Sequence, residues 1–246
     1  MKKQIDKKLF SIPYSAWIQL LFWIIPSLLW WGATAARSSW IHPSCLTTPQ
    51  TCTKESVLKV DQLSLGMEDW KADEYSYWTQ NFAGTLAGAV PMTWHSALFL
   101  LRRCNSVTAV SSAFMDLLIL GQTIAWNGLL TETSHLISQR PRPFVYQAPL
   151  ERGIDPAHYT SFYSGHTSFT AATTFAIFLI LLYRGAPQLI LCLSAITFET
   201  LVLSTAYFRI LAGRHFLTDV ICGAIAGSLT AWMILQLHRQ KNPHLF

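Results

Sequence analysis

Long apolar runs separated by short polar segments make up most of this 246-residue chain. Six runs have roughly the 17 to 25 residues that an α-helix needs to cross the hydrocarbon core of a bilayer. Peptide groups cannot bond to water in lipid, and the runs are too long and too uniformly apolar for barrel strands. We therefore expect an all-α polytopic membrane protein with six transmembrane helices in one bundle, over residues 16–36, 82–101, 107–130, 167–183, 188–207 and 218–237.

The composition agrees with this interpretation. Hydrophobic residues make up 51% of the chain and charged residues 13%, and the mean hydropathy is +0.30, which exceeds that of ordinary soluble domains. The net charge of +5 does not indicate a nucleic-acid partner, because no basic face of a soluble module is visible. With no internal repeat or low-complexity linker, residues 1–246 are expected to form a single membrane-embedded domain.

Basic residues predict the orientation, because Lys and Arg accumulate in short cytoplasmic loops. Residues 1–15 are expected to be a cytoplasmic tail, and with six crossings the other even-numbered gaps fall on the same side. The first apolar run could instead be a cleaved signal peptide ending near residues 33–35, although its length and Pro26 favour a retained helix. Both alternatives leave the polar motifs described below on the outer face. The cytoplasmic basic residues are Lys2, Lys3, Lys7, Lys8, Arg102, Arg103, Arg184, Arg239 and Lys241.

The long outer loop, residues 37–81, carries two further signals. Its apolar residues recur at helical spacing, which predicts either an interfacial helix on the membrane or a packed linker helix. These residues are Val57, Val60, Leu63, Met67 and Trp70. Cys45 and Cys52 lie in the same loop, where an oxidising compartment would allow a disulfide; two free thiols are the alternative.

Two acidic residues fall inside predicted transmembrane helices, where a charge is costly. Asp116 and Glu199 are both near the middle of their runs and far from the polar motifs. Pairing with a polar partner is the structural interpretation and a proton path or head-group contact the functional one. We favour structural pairing.

Two histidines lie where apolar runs begin or end. His215 and Asp219 are four residues apart, a spacing that would put both side chains on one face of the last helix. A carboxylate in that place can fix the imidazole tautomer and leave the other nitrogen free to attack phosphorus. His166 is then the candidate that protonates the departing oxygen and later activates water.

Phosphoryl oxygens also need cations and amides, which the protein itself must supply because the sequence has no metal-binding motif or cofactor signature. Arg142 and Arg209 are the first candidates, since a guanidinium matches the geometry of phosphate oxygens. Ser164 and the amide of Gly165 precede a predicted helix, where unpaired backbone donors favour anions. Arg140 lies near Arg142 on the same predicted face.

These residues resemble the signature of the type 2 phosphatidic acid phosphatase superfamily, over roughly residues 57–237. That signature has a Lys followed after six residues by Arg-Pro, then Pro-Ser-Gly-His, then Ser-Arg, five residues, His, three residues and Asp. The chain matches it at Arg142-Pro143, at Ser164-Gly165-His166, and at Arg209, His215 and Asp219. The resemblance implies His215 as nucleophile, His166 as acid and base, and Arg142 and Arg209 as phosphate ligands.

The chain departs from the signature at three positions. Tyr163 replaces the proline, Phe208 replaces the serine, and His135 stands at the lysine position. Protonated His135 could still bind phosphate, or Arg140 could swing in to replace the ammonium group. If His135 carries the charge, activity should fall as the pH rises through its titration, and a His135→Lys variant with an unchanged pH profile would contradict this.

The expected function is metal-independent hydrolysis of a lipid phosphate or diphosphate through a phosphohistidine, at the outer face of a bacterial cytoplasmic membrane. The expected partners are that substrate and the surrounding membrane lipids. A lipid phosphotransferase would use the same intermediate, a haloperoxidase would hold vanadate in the same pocket, and a non-catalytic membrane binding protein is the alternative from another class. The sequence predicts neither the particular lipid nor the oligomeric state.

Overall fold

The computed structural model describes residues 16–241, and within this range it is all-helical, without a β-strand. The predicted cytoplasmic tail, with its four lysines, lies outside the described residues. Six helices are long: α1 (Ala16–Ala35), α4 (Trp70–Leu100), α5 (Ser106–Ser138), α7 (Gly165–Tyr183), α8 (Gln188–Leu211) and α9 (Leu217–Lys241). Three helices of four residues lie in the loops: α2 (Arg37–Trp40), α3 (Ser44–Thr47) and α6 (Pro149–Arg152).

Five of the six long helices are long and apolar enough to cross a membrane, and α4 is the exception. Each predicted span coincides with one long helix, so the all-α membrane fold is confirmed. Of the six predicted membrane spans, five are supported by the length and composition of the helix. Within the predicted apolar segment, Pro91, Thr93, Trp94 and His95 lower the hydropathy of α4. Helix α4 is thus only partly the apolar segment that was predicted over residues 82–101.

The alternating course of the long helices brings six helix ends together at one end of the bundle. Helices α1, α5 and α8 end there, and α4, α7 and α9 begin there. Backbone hydrogen bonds join neighbouring ends: the Asp69 amide donates to the Leu211 carbonyl at 3.0 Å, and the Ser164 amide donates to the Asp219 carbonyl at 3.0 Å. All three polar motifs therefore lie at this end, which we call the site end.

Helix α7 occupies the centre of the bundle and packs against α4, α5, α8 and α9. Its contact with α9 is close because two glycines of α9 face its backbone. A Cβ atom on Gly227 would collide with the Ser168 carbonyl, and one on Gly223 would lie 2.7 Å from the Ser164 carbonyl. Small residues of this kind let membrane helices approach closely, and here they fix α9 against the start of α7.

Helix α1 packs along α5 through two tryptophans. A Cβ atom on Gly128 would collide with the ring of Trp30, and one on Gly121 would lie only 3.0 Å from the ring of Trp23. The indole of Trp126 donates to the Phe22 carbonyl at 3.1 Å. These contacts attach α1 to α5 along the bundle.

The outer loop between α1 and α4 differs from the prediction in one respect. No helix covers residues 57–69; a single 3-10 helix, Asp61–Ser64, lies between turns. The interfacial helix prediction is therefore wrong, because Val57 is buried in the loop while Leu63 is exposed, so the apolar residues do not share one face. Cys45 and Cys52 form a disulfide, as one of the two alternatives predicted.

The two intramembrane acids have different surroundings. Asp116 is fully buried, accepts from Arg184 at 2.6 Å and lies 2.7 Å from His95 Nε2, which confirms structural pairing. Glu199 is exposed on α8, and no hydrogen bond or ion pair joins it to another residue of the described range. Structural pairing is therefore not observed for Glu199.

Candidate active site

His215 lies in the turn between α8 and α9 and is almost fully buried. Gly213 makes this turn possible, because its φ is +64° and a Cβ atom there would collide with the Met67 carbonyl. The Nδ1 atom of His215 is 2.7 Å from the Ser161 carbonyl oxygen. A carbonyl can only accept, so Nδ1 carries the proton and the neutral ring keeps its lone pair on Nε2.

Asp219 is not the direct hydrogen-bond partner of His215 that the spacing predicted. Its Oδ2 atom is 3.9 Å from His215 Nδ1, which is too long for a hydrogen bond. Oδ2 instead accepts from the Ser161 hydroxyl at 2.6 Å and from the Phe216 amide at 2.9 Å. Asp219 therefore supports the Ser161 segment and the start of α9, and it reaches the imidazole only through that segment.

His166 lies in the first turn of α7, beside the same site. Its ring contacts the half-exposed Tyr77 ring edge-to-face, with centroids 4.5 Å apart. Its Nε2 atom is buried and has no hydrogen-bond partner among residues 16–241. The imidazoles of His166 and His215 interact electrostatically, so the structure brings the two predicted catalytic histidines into one site.

The Ser164 hydroxyl has a different role from the one predicted. It caps α7, with the Thr167 amide at 3.4 Å and the Thr167 hydroxyl at 3.0 Å, and it is fully buried. The amides of Gly165 and His166 belong to the first helical turn, which no intrahelical carbonyl can satisfy. These amides, rather than the Ser164 hydroxyl, are the donors that this segment can offer to an anion.

Two guanidiniums face the histidines. Arg142 donates to the Thr160 hydroxyl at 2.9 Å, and Arg209, which is 2% exposed, donates to Asp73 at 2.6 Å. The Nε atoms of both arginines are buried without a hydrogen-bond partner among the residues that the structure describes. Both guanidiniums interact electrostatically with His166 and His215. Unpaired buried donors beside two imidazoles are what a phosphate site requires.

The two candidates for the missing lysine are both engaged elsewhere. His135 directs Nε2 to the Tyr163 carbonyl at 3.0 Å and places Nδ1 3.6 Å from Glu132. Arg140 donates to Asp219 at 2.5 Å, to Asp61 at 2.7 Å and to the Thr218 hydroxyl at 2.9 Å. His135 thus supports the loop before α7, and Arg140 neutralises two buried carboxylates instead of swinging in toward phosphate.

The structure adds charged residues that sequence reasoning did not assign to the site. Asp73 binds both Arg209 and Arg214, and Arg37 forms an ion pair with Glu132. Arg37 and Arg214 lie within electrostatic range of Arg142, so four guanidiniums surround this region. Arg214 precedes His215 and could have been singled out by that position, but no pattern marks Asp73 or Arg37.

The electrostatic environment keeps His215 neutral. Its burial disfavours the imidazolium form and is the largest cause of a pKa well below the ordinary 6.5. The positive charges of Arg209 and Arg142 lower the pKa further, while the hydrogen bond to the Ser161 carbonyl raises it. A buried imidazole in this environment is unprotonated at neutral pH and can act as a nucleophile.

The profile of the PAP2 superfamily matches residues 116–243, slightly more than half of the chain. This region contains both imidazoles and both guanidiniums of the candidate site. Comparisons with curated protein sequences and with solved structures found no match. Members of the matched family are generally phosphatases, which supports phosphatase or related phosphoesterase activity in general terms. On the strength of the profile match, this chain belongs to the PAP2 superfamily.

Proposed function

We propose that the chain hydrolyses a lipid phosphate or lipid diphosphate at the outer face of the membrane, through a phosphohistidine and without a metal ion. One observation carries the proposal: Nδ1 of buried His215 donates to the Ser161 carbonyl, so Nε2 keeps its lone pair beside two guanidiniums with unpaired Nε atoms. This arrangement suits attack on a phosphoryl group whose oxygens are neutralised by arginine.

The proposed reaction has two steps with the same residues in reversed roles. In the first, Nε2 of His215 bonds to phosphorus while the bond to the leaving oxygen breaks, and His166, which enters this step as an imidazolium, gives that oxygen its proton and becomes neutral. In the second, His166 takes a proton from water, the water oxygen bonds to phosphorus, and the phosphorus–nitrogen bond breaks. Inorganic phosphate leaves, and both imidazoles return to their starting state. Arg142 and Arg209 would stabilise the charge on the phosphoryl oxygens throughout.

The lipid substrate is supported by the position of the site. The site lies where helices α4, α7, α8 and α9 reach one end of the bundle, so the head group of a lipid could enter the site while the tail of the lipid stays among the helices. The half-exposed Tyr77 ring touches His166 and therefore connects the site with the outer surface of the bundle. The distribution of basic residues supports an extracytoplasmic site, which in a bacterium would face the periplasm or the exterior.

The test is phosphate release by purified protein in detergent, with a chelator present, from a panel of lipid phosphates and diphosphates. We expect release by the parent protein and its loss in His215→Ala, by more than about 10³-fold, because the nucleophile is removed. His42→Ala is the control, since this exposed histidine also belongs to the outer loops and is separate from the site. Equal release by the parent protein and His215→Ala would refute the proposal.

A second measurement identifies the intermediate and the acceptor. With a ³²P-labelled substrate and a rapid quench, we expect label on the parent protein that is stable to base and released by acid, as for phosphohistidine, and none on His215→Ala. Label that ends in inorganic phosphate supports hydrolysis. Label that ends in a second lipid identifies a phosphotransferase with the same intermediate, and binding without any turnover identifies a non-catalytic protein.

A further inference from the structure

Asp73, in the first turn of α4, holds two arginines of the site end with its two oxygens. Oδ1 accepts from Nη1 of Arg209 at 2.6 Å. Oδ2 accepts from Arg214, with Nη2 at 2.8 Å and Nε at 3.2 Å. The Asp73 side chain is only 21% exposed, so water screens these ion pairs incompletely.

The contact with Asp73 determines which edge of the Arg209 guanidinium stays available. Nη1 is held from α4 by Asp73 and by the Ser76 hydroxyl, the latter at 3.2 Å. Nε, on the opposite edge, is buried and has no partner among the described residues. A guanidinium that is fixed along one edge presents the other in a single orientation, which is the geometry that bidentate phosphate binding needs.

We propose that Asp73 is a positioning residue for phosphoryl transfer, which aims the free edge of Arg209 at the phosphoryl group and separates Arg209 from Arg214. This inference rests on the proposed phosphatase function. Asp73 touches neither imidazole in the structure, so its effect on the reaction passes through Arg209. Its negative charge also competes with phosphate for both arginines.

The two effects of Asp73 on the site have opposite signs, which separates this role from a purely structural one. Without the carboxylate, Arg209 loses its fixed orientation, and a displacement of about 1 Å can cost about 100-fold in rate. The loss of the carboxylate also leaves Arg209 and Arg214 without their shared counter-ion, so inorganic phosphate should bind more tightly. A variant that only damaged the fold would weaken both turnover and phosphate binding.

The experiment compares Asp73→Asn and Asp73→Glu with the parent protein in detergent. We measure kcat on the preferred lipid phosphate, and the Kd of inorganic phosphate by direct titration. For Asp73→Asn we expect kcat to fall on the order of 10- to 100-fold and the Kd to fall on the order of tenfold. Asp73→Glu keeps the charge and shifts its position, so kcat should fall less and the Kd should match that of the parent.

Glu74→Gln is the matched control, because it removes one negative charge from the next residue of α4. Glu74 is exposed, and its only hydrogen bond within residues 16–241 is accepted from the indole of Trp78, at 3.5 Å. We expect kcat and Kd to equal those of the parent. If Glu74→Gln tightened phosphate binding as much as Asp73→Asn, the effect would be one of general charge, and the positioning role would be overturned.

The inference and the proposed function fail in different measurements. An inactive parent protein would refute the phosphatase function, whereas phosphate binding that is unchanged or weaker in Asp73→Asn would overturn the role of Asp73. Size-exclusion chromatography and thermal unfolding check the fold of each variant. If Asp73→Asn does not fold, Asp73→Glu decides: a lower kcat with the parent Kd supports positioning, and a parent kcat or a raised Kd overturns it.

Discussion

The variant Asp219→Asn best distinguishes the contacts of His215 seen in the structure from the triad-like contacts that the sequence predicted. In that arrangement the carboxylate fixes the tautomer of His215, and its replacement by an amide would cost about 10⁴-fold in kcat, as in serine proteases. In the structure the Ser161 carbonyl fixes the tautomer at 2.7 Å, and the carboxylate of Asp219 lies 3.9 Å away. A side-chain substitution cannot remove that carbonyl, so the tautomer should survive.

The smaller loss of activity that we expect in Asp219→Asn comes from the groups that the Asp219 carboxylate supports. The Ser161 hydroxyl and the Phe216 amide each donate to Oδ2, and Arg140 donates to Oδ1. We expect kcat/KM to fall about 10- to 100-fold, which corresponds to about 1.4–2.8 kcal/mol of transition-state stabilisation. Arg140 keeps Asp61 as its counter-ion, so the loss of stability should be smaller than the 3–5 kcal/mol or so that follows when a buried pair loses one partner.

The assay is phosphate release in detergent combined with thermal unfolding, and Asp61→Asn is its matched control. Asp61 also binds Arg140 and is fully buried, but it contacts Thr218 rather than Ser161. We expect Asp61→Asn to lose a comparable amount of stability with a much smaller change in kcat/KM. A loss near 10⁴-fold in folded Asp219→Asn would refute the reasoning, because it would require direct action of the carboxylate on His215.

Three further predictions concern packing, the disulfide and pH. Gly227→Ala should lower the unfolding temperature, because its Cβ atom would collide with the Ser168 carbonyl; an unchanged temperature would contradict the close packing of α7 and α9. Replacement of Cys45 and Cys52 by alanine should destabilise the protein by at most about 2.5 kcal/mol, the loop-closure value for so short a ring, measured by denaturant unfolding. Because the folded pKa of His215 is depressed, the unfolded chain binds the extra proton first, so stability should fall as the pH drops below about 6.5; His215→Gln should reduce this pH dependence of the unfolding temperature.

Hydropathy predicted where the helices cross the membrane but not how far they continue beyond it. The apolar run 188–207 corresponds to α8, which extends to Leu211, and the run 107–130 corresponds to α5, which extends to Ser138. Polar residues continue a helix when tertiary contacts satisfy them, and apolar content carries no signal for this extension. The difference matters for the site, because Arg209 lies in the added last turn of α8 and Asp73 lies in the added first turn of α4.

The motif predicted that the two histidines share one site, and in the structure they lie within electrostatic range of each other. Helical spacing, however, predicted the wrong contact between His215 and Asp219. Helix α9 begins at Leu217, so His215 precedes the helix and the four-residue spacing does not place the two side chains on one helical face. The Asp219 carboxylate turns back to the Phe216 amide instead, as the residue at position N3 of a capping box does. The predicted run began at residue 218, close to the observed start, so the error was to extend helical spacing back to His215, which lies before the helix.

The charges that hold the site together could not be predicted, because they come from segments without any pattern of their own. The partner of Arg140 on the outer loop is Asp61, and the partner of Arg209 on α4 is Asp73. These pairs are 79 and 136 residues apart in sequence, and only the meeting of six helix ends brings them together. The ion pair with Asp73 offsets the cost of burying the Arg209 guanidinium when phosphate is absent, although the sequence does not show which acid supplies it. Hence Asp73, which has no place in the motif, is the residue whose substitution tests most directly how the phosphate ligands are aimed.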